Sequence, residues 1–434
     1  MTLALAEAEI VKLARLLGSK ERELDFLRQI DWQVLRDLRE QAANAMLETD
    51  RQGLQRVAAA TKLVPSKITA AIGERAFGPM LSGRVTGLLD PSRAVDIAGH
   101  LPTRFLADVA PQIEPRLASR VIAEIPAQQI GAITAELADR GDYVTMGRFV
   151  GHLSERALTA ALDSVDDETL LRTAYVVESK GALDALVAIV PEQRLHEILR
   201  SADELDLWRE ALDVLRFVSE RRRGMLGDIA AAQDDDVLAG LVRAAQRDRL
   251  WADVLPVARA MGEDSRARFA TLAAIQTRPV LSSIVDAAKE RSLWAELLVL
   301  LPLLPAGSRR RVAALGTGFG RSILVQILRA AQEDELWAPL LSFATELELR
   351  TQRDLAKLIS AADDELLNGL LDAVEEDEMQ DEFVQITGRL GATDMRAFAK
   401  RLAPAAGEEL LGILVEAAQA AELPALEKAL MGTT

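Results

Sequence analysis

The sequence predicts an all-α protein: a right-handed-type α-solenoid of short helices, followed by an array of 43-residue helical repeats. Three observations lead there. The apolar residues are mostly Leu and Ala and aromatics are only 4% of the chain, which is helix-former chemistry. Trp208, Trp251, Trp294 and Trp337 stand 43 residues apart. The middle of the chain repeats an apolar pattern every 12 residues.

In chain order, residues 1–54 read as a helical segment. MTLALAEAEIVKLARLL is amphipathic, Gly18 and Ser19 break it, and ERELDFLRQIDWQVLRDLREQAANAML reads as one long helix. Residues 55–191 follow a shorter rhythm. PTRFLADVAPQI, EPRLASRVIAEI and PAQQIGAITAEL start at Pro102, Glu114 and Pro126. Apolar residues share the fifth, eighth and twelfth places: Leu106, Val109, Ile113; Ala118, Val121, Ile125; Ile130, Ile133, Leu137. Proline near each start suits the first turn of a helix. The expectation is helices of about two turns joined by tight corners and wound into a superhelix.

Residues 192–434 form the array. Six copies of one frame open on Leu195, Leu238, Leu281, Leu324, Leu367 and Leu411, the last spaced by 44. Apolar pairs follow at three and four residues, then small residues such as Ala244–Ala245, then Leu or Met before the Trp slot. That is a helix with one buried stripe. A second helix is predicted from the Trp slot and a third from the basic loop. One such copy cannot bury its stripe alone, so copies must stack.

Composition narrows the function. Acids outnumber bases 67 to 51, for a formal charge of -16. Nucleic acid and anionic membrane surfaces are poor partners for that balance. Without cysteine there is no disulfide, thiolate ligand or cysteine nucleophile, and a cytoplasmic location is expected. The N-terminus lacks the basic start of a secretory leader. The greasiest run, Leu297 to Leu304, is too short for the ~20 residues a bilayer needs, so no membrane span is expected.

Candidate sites are few. His100, His152 and His196 lack metal-ligand spacing and read as structural. Gly316, Gly318 and Gly320 resemble a nucleotide loop, but a helix precedes them where a strand is required. They read as a corner between copies. The acidic clusters Asp166–Glu168, Asp234–Asp236, Asp363–Glu365 and Glu375–Glu378 read as helix caps. No catalytic, cofactor or metal residues are assigned, and the chain is not expected to be an enzyme.

Two ladders remain. Arg221, Arg222, Arg223, Arg266, Arg268, Arg309, Arg310 and Arg311, with Arg353 and Arg396, recur at similar repeat positions. They form either a docking strip for an acidic partner or local ion pairs of little energy. Trp208, Trp251, Trp294 and Trp337 line a binding groove or fill the wedge between helices, and packing is the preferred reading because a buried Leu precedes each.

The string LLDPSRAVDIAGHLPTRFLADVAPQIEPRLASRVIAEIPAQQIGAITAEL resembles the cytosolic N-terminal superhelical domain of MgtE-type magnesium transporters, over roughly 55–200. That family's regulatory domains and membrane helices have no counterpart here, so transport is not expected. The array resembles HEAT or armadillo repeats in period. The leading expectation is a solenoid scaffold that binds a protein or peptide. The alternative is a carrier for an apolar small molecule held in the solenoid groove. A divalent-ion-responsive regulator rests on the resemblance alone.

Overall fold

Helix-forming runs punctuated by Pro, Gly and Asp set the architecture. The computed structural model describes residues 2–432, and every regular element among them is a helix. The chain divides into two compact units, 1–222 and 223–434.

The first unit opens on the helix Thr2–Leu17, ended by Gly18 at φ +67. The long helix expected from residue 21 does not form as one piece. Glu21–Leu27 is a 3-10 helix, and Asp31 starts a new helix, accepting a hydrogen bond from the Gln33 backbone N–H at 2.8 Å. This cap satisfies one of the free N–H groups of the first turn. The new helix, Trp32–Thr61, runs past residue 47 and through the boundary expected at 54/55, because the intervening residues are mostly good helix formers.

The short helices follow as the prolines dictate. Pro91–Ala98 and Pro115–Glu124 carry Pro in their first turn, and Pro102 and Pro126 immediately precede Thr103–Val109 and Ala127–Asp139. Each packs on its second neighbour in sequence, as a stack of helix pairs must. Glycine permits close approach between them. A Cβ on Gly83 would lie 2.6 Å from the Gln112 Cβ, and one on Gly147 would lie 2.9 Å from the Val176 carbonyl oxygen. The first two helices of the first repeat copy, Glu192–Glu204 and Trp208–Leu215, fall in this unit.

The second unit carries the remaining copies as three-helix repeats, such as Asp235–Asp248, Trp251–Ala260 and Glu263–Thr271. Trp251–Ala260, Trp294–Leu300, Trp337–Glu346 and Gln380–Thr387 pack in succession, one against the next.

The turn before the Trp slot explains the sequence frame. Asp206, Arg249, Ser292, Glu335, Glu378 and Glu422 all have φ between 55 and 57. After each, the N–H of the next residue reaches back five positions: Leu250 to Ala245, Leu293 to Ala288, and Leu336 to Ala331, at 2.8–2.9 Å. This is the Schellman helix ending, whose apolar residue past the turn packs back on the helix. The invariant Leu or Met of the frame is that residue.

Candidate functional site

The apolar stripe of the 12-residue units packs without filling the space it encloses. Of its nine positions, Leu106, Val109, Ile113, Val121, Ile125, Ile130, Ile133 and Leu137 line a cavity of about 200 Å3 in the first unit, whose wall extends from Val57 to Leu186. The wall has no Asp, Glu, Lys, Arg or His. Two of its hydroxyls are turned to the backbone: Thr61 donates to the Ala58 carbonyl at 2.7 Å and Thr86 to the Ser82 carbonyl at 2.8 Å. An apolar molecule entering this space would leave no wall hydroxyl of these two without its partner.

Beside it lies a buried ion network. Glu9 and Lys12 stand on the apolar face of the first helix, 2% and 4% exposed, and bond each other at 2.7 Å. Arg39, 1% exposed, donates to Glu9 at 3.1 Å and also reaches Glu178 and Glu114. Arg148 donates to Glu114 at 3.2 Å and to the Pro111 carbonyl at 3.2 Å. Burial alone would raise the Glu178 carboxyl, but Lys12, Arg39 and Arg148 hold it down at about 2. Burial pushes the Lys12 ammonium below its usual range, against the pull of Glu9 and Glu178. The network ties the N-terminal helices to the short helices around residues 114, 148 and 178. Sequence reading missed it. The available signal was two charges within the apolar stripe of an amphipathic helix.

Both ladders have structural occupations. Trp208, Trp251, Trp294 and Trp337 are 2–3% exposed, so their rings are core and do not line an accessible groove. Three of the N–H groups are also engaged: Trp208 donates to Asp203 at 3.1 Å, Trp251 to Gln246 at 3.3 Å and Trp294 to Gln326 at 3.1 Å. Of the arginines, Arg268 donates to the Gln233 carbonyl at 2.7 Å and to Asp235 at 3.1 Å. Arg311 makes the matching bond to the Gln276 carbonyl at 2.6 Å. Arg266 closes the Arg259 and Met261 carbonyls, Arg309 pairs with Glu346, and Arg222 pairs with Asp184 at 3.3 Å. Arg223 also has partners of its own. Arg221, Arg268, Arg310, Arg311, Arg353 and Arg396 are exposed, Arg310 bonding its own helix at Ala306 and Arg396 its own at Ala392.

The arginine role is more general than the array. Arg93 and Arg194, outside the predicted ladder, each donate to carbonyls 32 and 29 residues upstream: Thr61 and Val64, Leu162 and Val165. Arg401 does likewise at Ser360 and Ala362. These guanidiniums satisfy the orphan carbonyls at helix ends.

The glycine string is a corner. Gly316–Gly318 is a 3-10 turn between helices, and Phe319 lies edge-on to Trp294 at 5.4 Å. The capping expectation holds for Asp166, which accepts from Thr169, and for Asp363, which accepts from Leu366. It fails for Asp234, whose side chain makes no cap bond, and for Glu375–Glu378, which lie at a helix C-terminus. Among the described residues no three His, Asp or Glu side chains are grouped to hold a metal ion. No protein-family model matches the chain, and no curated protein matches its sequence.

Proposed function

We propose that the first unit is a binding module for an apolar small molecule, held in the cavity between the short helices, and that the chain binds rather than catalyses. The observation that carries this is the cavity wall: a repeated aliphatic stripe, no titratable group, and about 200 Å3 of space. An apolar cavity of ~150 Å3 is enough for benzene, so the space suits a single hydrocarbon chain or a small ring system. Among the described residues no helix is long and apolar enough to cross a membrane.

The test is titration with the uncharged apolar fluorophore N-phenyl-1-naphthylamine. Saturable one-to-one binding is expected, weakened at least tenfold by Leu106→Phe or Ile133→Phe, which fill the cavity from its wall. Absence of saturation, or binding that ignores both fillers, ends the proposal.

The scaffold reading keeps one favourable observation. Phe26, Ile30, Val34 and Leu38 are 40–74% exposed along the 3-10 segment and the following helix, a row of the kind that marks an interaction surface.

A further inference from the structure

The first unit has a second cavity of about 170 Å3, and its chemistry is the opposite of the first. Its charged wall consists of Lys12, Arg15, Arg39, Arg84 and Arg148 against Glu114. In a chain with a formal charge of -16, this is a local inversion of sign. Three of the cations are more than nine-tenths buried: Lys12 at 4%, Arg39 at 1% and Arg148 at 7%. The network is also polarised. Glu9 and Glu178, which bond Lys12 and Arg39, do not line the cavity. Cations face the space, and most of the balancing carboxylates lie away from it.

The Arg148 Nε makes no hydrogen bond and stands 3.7 Å from the Glu178 Oε2 of its ion pair, an oxygen that also makes none. An oxyanion is the group best matched to several guanidiniums and an ammonium at once. The volume is several times the ~30 Å3 share of one water, enough for a phosphate or carboxylate group with a short stem.

We infer that this cavity is an oxyanion site for a phosphate or carboxylate group. It does not rest on the apolar-ligand reading, although Ile113 borders both cavities. That shared wall leaves two sources for one chemistry: a free small anion, or the anionic head of an amphiphile whose chain occupies the apolar cavity.

The experiment is calorimetric titration of the full chain with inorganic phosphate and separately with decanoate, ionic strength matched with chloride. Two variants accompany it, each checked for unchanged helicity. Arg84→Gln removes a cation from the wall. Met46→Glu, on the half-buried wall, introduces a competing carboxylate without removing any network member. Saturable phosphate binding, weakened about tenfold by Arg84→Gln and lost in Met46→Glu, supports the site with a free anion. Decanoate binding without phosphate binding, lost in Met46→Glu and also weakened by Ile133→Phe, supports it with an amphiphile head. Binding of neither, or binding that neither Arg84→Gln nor Met46→Glu alters, overturns it. Decanoate binding weakened only by Ile133→Phe overturns this site while leaving the apolar cavity's role intact.

Discussion

The short-helix region and the 43-residue array solve the same packing problem with different materials. Both stack helices on aliphatic stripes and close helix ends with arginine. The array, however, brings one large residue to most copies. Trp251, Trp294 and Trp337 enter the core at the first position of the second helix, 2–3% exposed. The 12-residue units bring Leu, Val, Ile and Ala at the corresponding inner positions, and both cavities described above lie among them or beside them. The two stacks thus place side chains of different volume at the inward position, and protein interiors reach crystal-like density only when side chains supply the volume.

The largest expected effect tests the Trp array. Trp251→Ala should lower unfolding free energy by ~3–5 kcal/mol, as for other buried aromatic truncations, read from urea denaturation. A loss under ~1 kcal/mol would mean the ring fills no critical space, and the comparison would break.

A smaller effect tests what holds the short-helix region together. Glu178 is held at about 2 against an ordinary 4.5. A carboxylate depressed on folding stabilises fully above its unfolded value and loses that contribution as pH falls towards its folded one. About 1.4 kcal/mol should therefore disappear between pH 7 and pH 3.5 through this group. Stability measured at both pH values should fall by that much more in the wild type than in Glu178→Gln. Equal falls would show that Glu178 is not tied to Lys12, Arg39 and Arg148 in solution.

The smallest effect concerns the turn that marks each copy. Glu335 sits at φ 55 in a Schellman ending, a conformation glycine adopts without a Cβ penalty. Glu335→Gly should raise stability by ~0.5–1 kcal/mol, visible as a small increase in melting temperature. A decrease would mean that the Glu335 side chain contributes more than the strain it carries.

Much of the helical grammar was legible before any coordinates. Pro102, Pro115 and Pro126 stand at helix starts, and the stripe positions from Leu106 to Leu137, Ala118 apart, line the inner cavity. Each of these is written in residues near one another, since capping, turn chemistry and periodicity act over a few positions. Local readings failed at the helix expected from residue 21, where the Asp31 cap outweighed continuous helix-former chemistry, and at the caps expected at Asp234 and Glu375–Glu378.

The chain alone thus determined the helical class, the two periods and the buried character of the Trp slots. Tertiary structure decided what those slots and stripes enclose. Whether Ile113 and Ile133 meet a neighbour or face empty space depends on helices tens of residues away, as does the convergence of Glu9, Arg39, Glu114, Arg148 and Glu178. The arginines belong to the same class. Arg268 and Arg311 look like a charged strip in sequence, and become carbonyl clasps only when the stack brings Gln233 and Gln276 within 2.7 Å. Local propensity is summed along the chain, whereas cavities, ion networks and long-range clasps are set by how the stacked helices fit.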